Sequence, residues 1–300
     1  MYNAWLHRYA VAVATCTLFL VVAGGLVTSN DAGLSVPDWP LAYGKLIPSQ
    51  IEGGIVFEYG HRVVATTVGL LTVILAIWMG RAEKRRWMRR LGFIALGGVI
   101  AQGLLGGLTV IFMQPKPVSI FHACLAELFF STTVLIALFT SAEWSGSRRM
   151  TEDFGSLSIH SLALAVPLFV LTQLALGASA RHKALSVLPH VVGAAVVTGM
   201  ILWIVIRVLV RHSDVTPLRW SALSLLIIAI SQVFLGVAAY MSRIATADAP
   251  QPMGVMVGFT VAHVAVGALT MAASVVLAAQ VFRYVRRPLL QMTAGVAVPS

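Results

Sequence analysis

The stretch FEYGHRVVATTVGLLTVILAIWMG at 57–80, followed directly by RAEKRRWMRR at 81–90, decides the fold class of this chain. An apolar run of this length can cross the hydrocarbon core of a bilayer, which is roughly 30 Å thick and needs about 20 helical residues. Backbone polar groups cannot stay unpaired in lipid, so the run must be a helix. The basic cluster behind it predicts that this end of the helix faces the cytoplasm.

The rest of the chain repeats this pattern. Apolar runs occupy residues 9–28, 57–80, 91–113, 119–142, 157–180, 187–210, 219–243 and 256–282. The chain is 58% apolar and 11% charged, with a mean hydropathy of +0.88, which is outside the range of soluble proteins. The sequence therefore predicts an all-α integral membrane protein with eight transmembrane helices. The net charge of +10 does not indicate a nucleic-acid partner, because the charges lie between the apolar runs.

Lysines and arginines fall mostly on one side of the predicted membrane. With the N-terminus inside, the inner segments carry 15 of the 21: Arg8, the six basic residues of 81–90, Arg148, Arg149, Arg207, Arg211, Arg219, Arg283, Arg286 and Arg287. The outer segments carry Lys45, Arg62, Lys116, Arg181, Lys183 and Arg243. This asymmetry predicts a plasma-membrane protein with both termini in the cytoplasm.

Four histidines lie near the starts of the second, fourth, sixth and eighth runs: His61, His122, His190 and His263. Alternate helices run in the same direction, so all four imidazoles are predicted to lie in the outer leaflet. Neutral imidazole is a common ligand of metals and of haem iron, and two bis-histidine sites would use all four. Zinc is the weaker expectation, because no cysteine or acidic cluster accompanies them. The alternative is that each histidine hydrogen-bonds a neighbouring helix.

The helices between the histidines share a second motif. It reads QGLLGG at 102–107, QLALG at 173–177 and QVFLG at 232–236, while the first run keeps only Gly24 and Gly25. Small residues at these positions permit close approach of helix backbones, or of a flat macrocycle. Each motif is followed by an outer loop and a histidine-bearing run, so the repeating unit is a helix pair.

Four such pairs predict two pseudo-symmetric four-helix bundles. The polar inner segment EWSGSRRMTEDFG at 143–155 separates the halves, which gives an N-terminal bundle at 1–145 and a C-terminal bundle at 146–300. His61 is expected to pair with His122 in the first, and His190 with His263 in the second.

The two halves differ in their carboxylates. Glu58 precedes His61 by three residues, which puts both side chains on one helix face. This favours chemistry at the first histidine pair and electron transfer at the second. The alternative is that Glu58 pairs with Arg62 or caps the helix start. A second intramembrane carboxylate, Glu127, lies just over a turn from His122, where it could relay protons or bond a neighbouring helix.

The first outer loop, at about 29–56, is the longest segment outside the membrane and contains TSNDAGLSVPDWPLAYG. A loop of this length is typically functional or disordered. Trp39 and Tyr43 could anchor it at the membrane interface, or the loop could cover the first site as a lid. The two cysteines, Cys16 and Cys124, lie inside apolar runs and are expected to pack there.

The motifs together resemble the haem A synthase family of eight-span membrane enzymes. The resemblance covers nearly the whole chain. It rests on GGLVTSNDAGLSVPDWP at 24–40, EYGHR at 58–62, the Gln-x-x-Leu-Gly-Gly motif at 102–107 and the four histidines. Many bacterial members also carry a cysteine pair in the first outer loop, and this chain has none.

The resemblance implies an oxidoreductase that converts the C8 methyl of haem O to the formyl group of haem A by successive hydroxylations. It implies that His61 and His122 hold the substrate haem beside Glu58, and that His190 and His263 ligate a permanent haem b. It also implies cytochrome oxidase assembly as the setting and a haem O synthase as the source of substrate. The electron donor is not named by it.

The outer basic residues Arg62, Arg181, Lys183 and Arg243 are candidate partners of haem propionates, with interfacial snorkelling as the alternative. Two other functions remain open from the residues alone. One is a di-haem membrane cytochrome b that passes electrons without converting a haem. The other is a transporter, since internal repeats and an even helix number also suit transport folds.

Overall fold

A computed structural model describes residues 2–147, 150–153 and 158–286. Its long helices are α1 (Ala4–Ser29), α2 (Gly54–Ala82), α3 (Arg86–Ile111), α4 (Lys116–Thr140), α6 (Ile159–Arg181), α7 (Leu188–Arg211), α8 (Thr216–Ala245) and α9 (Gly254–Tyr284). Each of these eight is long and apolar enough to cross a membrane, so the predicted fold class is confirmed. A short helix, α5 (Ala142–Ser145), and two strands, β1 (Thr151–Glu152) and β2 (Val285–Arg286), complete the described elements.

Several helices begin earlier than their apolar runs. In α1 the Asn3 side chain accepts from the backbone N–H groups of Trp5 and Leu6, both at 3.1 Å, which caps the helix ahead of the apolar residues. Helices α4, α7 and α8 carry proline in their first turn, where the missing N–H costs nothing. Polar residues and proline are tolerated in a first turn, so the apolar runs understate the helices.

The helices contact one another in two groups of four. Neighbours α1–α2, α2–α3, α3–α4 and α1–α4 pack together, as do α6–α7, α7–α8, α8–α9 and α6–α9. The groups meet where α1 and α4 contact α9, and where α4 contacts α6. The division into two pseudo-symmetric halves at 1–145 and 146–300 stays a prediction.

Each half has its own packed cluster at the helix ends away from the histidines. In the first half it includes Leu75, Met79 and Met88, all almost fully buried. In the second it includes Ile201 and Leu277. Van der Waals packing rather than exclusion of water holds such clusters together in a membrane. The inner halves of the helices therefore fix the positions of the outer halves, where the histidines lie.

The segment between the halves is tied to the end of α9. The Arg283 guanidinium donates to the backbone carbonyls of Glu143 and Gly146, both at 3.1 Å, and lies 4.5 Å from the centre of the Trp144 ring. Strand β1 pairs in parallel with β2, a contact the sequence did not predict. Arg148, Arg149 and Arg287, which count toward the predicted charge asymmetry, lie outside the described residues.

Candidate functional site

Each of the four histidines lies against a glycine of the preceding membrane helix. A Cβ atom built on the glycine would lie close to Cε1 of the imidazole: 3.2 Å for Gly24 and His61, 3.3 Å for Gly106 and His122, 2.9 Å for Gly177 and His190, and 2.9 Å for Gly236 and His263. Real Cβ contacts are almost never below 3.0 Å. The glycines of the repeated motif therefore make room for imidazole rings, a purpose more specific than close helix packing.

The C-terminal pair, His190 and His263, has the spacing of two ligands on one metal. Their ring centroids are 6.2 Å apart and the rings are nearly perpendicular, at 89°. Two imidazoles bound on opposite sides of one metal ion through bonds of about 2.0–2.1 Å would have centroids roughly 6 Å apart. The pairing of these two residues as ligands of one iron stays a prediction.

Hydrogen bonds reach the ring nitrogens of this pair from the motif glutamines. Nδ1 of His263 lies 3.1 Å from the backbone carbonyl of Gln232. Nδ1 of His190 lies 3.0 Å from the side-chain amide nitrogen of Gln173, which also donates to the His190 carbonyl at 2.7 Å. A ring N–H that donates to a carbonyl, as His263 Nδ1 can to Gln232, orients a metal-binding histidine and raises its basicity.

The N-terminal pair lacks such bonds. Nδ1 of His61 and Nδ1 of His122 are buried and have no hydrogen-bond partner within the described ranges. Gln102 donates only to the backbone carbonyl of His122, at 2.9 Å. In α1 the corresponding position is Leu20, which cannot donate at all.

Sequence reasoning missed these glutamines as neighbours of the histidines. The signal was present, because each glutamine precedes its glycine by four residues and so lies one turn away on the same helix face. The motif was instead interpreted through its small residues alone.

Glu58 is buried and fully engaged. One carboxylate oxygen forms an ion pair with Arg62 at 2.6 Å, and the other accepts the backbone N–H of Val36 at 2.8 Å. The pairing with Arg62 weighed as an alternative is therefore present. It joins α2 to the first outer loop, directly beside His61.

Arg62 extends this connection. Its guanidinium donates to the backbone carbonyls of Asp38 at 2.7 Å, Leu41 at 2.9 Å and Val36 at 3.1 Å. These bonds hold the Arg62 guanidinium against the loop. From the sequence, Arg62 is a candidate partner of a haem propionate. That expectation stays a prediction.

Trp39 fastens the same loop to α3. A Cβ built on Gly107 would lie 2.7 Å from the indole ring, so the last glycine of QGLLGG accommodates Trp39 just as Gly106 accommodates His122. The loop therefore contacts both α2 and α3 at their histidine ends. This is the placement that a lid over the first histidine pair would need.

The other outer basic residues have different surroundings. Arg181 donates to the Ser29 hydroxyl at 2.7 Å, which joins α6 to α1. Lys183 is exposed, and its backbone carbonyl accepts from Lys116 at 2.7 Å. Arg243 is exposed. Their role toward propionates stays a prediction.

Glu127 is buried in α4 with 7% of its surface exposed, and one of its carboxylate oxygens has no partner in the described part of the chain. The hydroxyl of Ser131, one turn further along α4, also has no hydrogen-bond partner among the described residues. The choice between a proton relay and a helix contact stays open.

The donor set suits haem better than a bare metal ion. Among the described residues, no three histidine, cysteine or acidic side chains converge on one point. Structural and catalytic zinc sites need at least three protein ligands, whereas haem iron needs only two axial ones. The separation of the His190 and His263 rings is compatible with two axial ligands of one haem iron, and the haem groups themselves stay a prediction.

The fold defines the class: a helical membrane protein with eight described helices that are long and apolar enough to span a bilayer. A profile of the COX15-CtaA family, described as cytochrome oxidase assembly protein, matches residues 7–54 and 52–188, more than half of the chain. The chain belongs to this family.

Several relatives are named heme A synthase. The protein of Lysinibacillus sphaericus is 28% identical over 185 residues, 60% of this chain and 59% of the relative. That of Alkalihalophilus pseudofirmus is 33% identical over 135 residues, 44% and 46% of the two chains. That of Shouchella clausii is 30% identical over 179 residues, 59% of each. The chain thus matches about half to three fifths of the length of these relatives.

Proposed function

We propose that this protein is a haem A synthase, which oxidises one methyl group of haem O to the formyl group of haem A. Family membership and the names of the relatives support this function. The observation that carries it is the difference between the two histidine pairs. One pair has hydrogen bonds at its ring nitrogens, and the other has none and lies beside a buried carboxylate.

The C-terminal pair, His190 and His263, is assigned a permanent haem b. The bond from His263 Nδ1 to the Gln232 carbonyl leaves Nε2 with a lone pair for iron. Gln173 can serve His190 in the same way after its amide rotates, because its side-chain oxygen is buried and unpartnered within the described residues. Two oriented ligands favour tight and lasting binding.

The N-terminal pair, His61 and His122, is assigned the substrate haem. A substrate must arrive and the product must leave, so ligands without supporting hydrogen bonds suit this role better than oriented ones. Glu58 lies one turn from His61, on the side of the covering loop. The 1–145 half is therefore the catalytic half in this proposal, and 146–300 holds the cofactor.

The chain's own residues would position the substrate haem and enclose it. Bound haem supplies the redox chemistry. His61 and His122 would hold the substrate haem beside Glu58, and such positioning would select one methyl among several. Trp39 and Arg62 keep the outer loop over this half, which limits access of water. The Arg62 guanidinium forms an ion pair with Glu58 in its buried position.

The setting follows from the same proposal. Substrate would come from a haem O synthase in the same membrane, and the product would serve cytochrome oxidase assembly. The histidine ends of the helices would face the outer side of the plasma membrane. The electron donor that the hydroxylations require is not identified by the chain.

The test is haem analysis of membranes from cells that express this chain together with a haem O synthase. The native chain should yield haem A. Glu58→Gln should yield little haem A, because the negative charge is lost. Glutamine can still accept the Val36 N–H. Glu52→Gln is the control, an exposed carboxylate in the outer loop of the same half, and should retain the haem A of the native chain.

Two results would contradict the proposal. Haem b alone from the native chain, with haem O accumulating unchanged, would indicate a di-haem cytochrome. Equal haem A from Glu58→Gln and native chains would remove Glu58 from the reaction and leave it as a support of the loop.

A further inference from the structure

A basic cavity opens between the end of α2 and the start of α3, at the opposite end of these helices from the histidines. Its volume is about 610 Å³. Its walls include Arg81, Arg86, Arg89, Arg90, Ile77 and Phe93. Nothing in the proposed haem chemistry uses this cavity, because the helix clusters around Leu75 and Met79 separate it from the histidine end.

The arginines of the cavity have no internal counter-charge. None of the four forms an ion pair or a hydrogen bond through its guanidinium with another described residue. The nearest carboxylate in sequence, Glu83, is already bound to Arg85 at 2.7 Å. Four guanidinium groups around one cavity repel each other unless an anion lies between them.

The N-terminal end of α3 also favours a bound anion. Its N-cap, Arg85, makes no side-chain cap bond, and its first turn contains no acidic residue. The first backbone N–H groups of a helix need acceptors, and positive side chains at this end oppose the helix dipole. An anion held by Arg86, Arg89 and Arg90 would satisfy the N–H groups and balance the dipole.

The cavity is also apolar on its membrane side. Ile77 is 46% exposed and Phe93 is 54% exposed, and both point away from the helix clusters. The Phe93 ring lies against α2, where a Cβ built on Gly80 would be in ordinary van der Waals contact with it at 3.4 Å. A ligand of this cavity therefore has an anionic head among arginines and an apolar body along α2 and α3.

We propose that this cavity binds the phosphate head group of an anionic phospholipid, with its acyl chains along Ile77 and Phe93. Basic pockets between membrane helices bind such head groups, and arginine forks match phosphate oxygens. A free phosphate ion would explain the arginines, but it would leave the exposed apolar wall unused. The site anchors the α2–α3 connection to one class of lipid.

The experiment measures phospholipid retained by the purified protein after reconstitution in nanodiscs of phosphatidylcholine with phosphatidylglycerol or cardiolipin. Native mass spectrometry counts the bound lipids. The native chain should retain anionic lipid above its share of the bilayer. Replacement of three cavity arginines (Arg86→Gln, Arg89→Gln and Arg90→Gln) should weaken this binding roughly 100-fold, from the contribution of each basic residue at an anionic surface.

Two controls separate the cavity from general charge. Arg8→Gln, Arg211→Gln and Arg219→Gln remove the same charge from the same side of the protein and should leave retention unchanged. The variant with Arg86→Lys, Arg89→Lys and Arg90→Lys keeps the charge but loses the guanidinium groups. It should bind anionic lipid at an intermediate level. Thermal unfolding of each variant confirms that it is folded, so a loss of lipid reports on the cavity.

Three outcomes would overturn the proposal. Equal loss in both glutamine triples would show attraction by net charge alone. Displacement of the lipid by millimolar inorganic phosphate would show a site for the free ion. Equal retention of phosphatidylcholine and anionic lipid by the native chain would show no head-group selection.

Discussion

At the residue scale, the glycines opposite the histidines control how closely each imidazole approaches the preceding helix. The distances differ between the halves. A Cβ on Gly177 would lie 2.9 Å from the imidazole of His190, whereas one on Gly24 would lie 3.2 Å from that of His61. The imidazoles of His190 and His263 therefore lie closer to the preceding helix than those of the N-terminal pair. Hydrogen bonds reach the ring nitrogens of the same two residues.

We expect Gly177→Ala to displace the His190 ring and lower the haem content of the purified protein, measured from its Soret absorbance. Gly24→Ala should have a smaller effect. The matched control is Gly199→Ala in α7, where a Cβ would meet nothing within 4 Å. That variant should keep its haem and gain up to about 1 kcal/mol of helix stability. Equal haem loss in Gly177→Ala and Gly199→Ala would show that ring contact is irrelevant.

The glutamines give a second residue-scale prediction. Gln173→Leu removes the hydrogen bond at the His190 ring, and loss of such a supporting bond typically weakens a metal site about 10–100-fold. Gln102→Leu removes only a bond to a backbone carbonyl. We therefore expect faster transfer of haem to apomyoglobin, and an altered redox potential, in the first variant but not in the second. Matching changes in both variants would argue for general loosening of the helices.

The sequence predicts the residues of the site better than their contacts. The histidines and glycines recur at fixed spacing, so their shared purpose is visible without coordinates. The bond from Gln173 to His190 depends on how α6 rotates against α7, and no spacing within one helix encodes that rotation. The Glu58–Arg62 pair was foreseeable from its i, i+4 spacing. The loop carbonyls that complete it were not.

At the element scale, the first outer loop has an internal scaffold as well as its anchors on α2 and α3. Ala42 and Lys45 pair as a β-bridge around a two-residue turn, with positive φ angles of 55° at Tyr43 and 71° at Gly44. The Asp38 carboxylate accepts both turn N–H groups, each at 2.7 Å. Such a turn favours glycine at its second position and closes a hairpin tightly.

These bonds predict a pH dependence of the loop. The N–H of Gly44, followed by that of Tyr43, holds the pKa of Asp38 below its ordinary value. A carboxyl whose pKa is lowered on folding adds stability above its unfolded pKa of about 3.9, and loses it as the pH falls through the folded value. Loop order should therefore be constant near neutral pH and decline only below about pH 4.

A nitroxide at position 46 reports this order by electron paramagnetic resonance, in a chain with Leu46→Cys, Cys16→Ser and Cys124→Ser. Asp38→Ala should make the label mobile at neutral pH. The control, Glu52→Ala, removes an exposed carboxylate from the same loop and should leave the spectrum unchanged. A mobile label in the parent chain at neutral pH would contradict the described turn.

Elements of the membrane region were more predictable than this loop. Length and apolarity identify a spanning helix because lipid permits few other structures, so all eight were found. The loop depends on contacts between residues distant in sequence, such as Trp39 with Gly107, for which a linear pattern carries no signal. Turn-forming residues indicated a compact loop without indicating what it would cover.

At the scale of the whole molecule, the two halves are joined at both ends of the helices. On the histidine side Arg181 donates to the Gly25 carbonyl at 3.0 Å, and deeper in the membrane Phe130 of α4 packs against Ala268 and Ala272 of α9. Small residues on α9 let α4 approach closely. This junction places the two histidine pairs side by side at one end of the molecule, an arrangement that suits electron transfer between neighbouring haems.

Orientation in the bilayer is the last prediction, and it determines from which side haem and electrons reach the site. Most of the lysines and arginines lie at the helix ends opposite the histidines, so those ends should face the cytoplasm. Single cysteines at Ser49, in the first outer loop, and at Ser213, between α7 and α8, test this in the Cys16→Ser, Cys124→Ser background. A membrane-impermeant maleimide added to intact cells, or to spheroplasts if an outer membrane is present, should label position 49 and spare position 213, and lysis should expose both. The reverse pattern would place the histidine pairs on the cytoplasmic side and require haem delivery from that face. Labelling of both positions before lysis would mean leaky cells, which a cytoplasmic marker protein with a reactive cysteine detects independently.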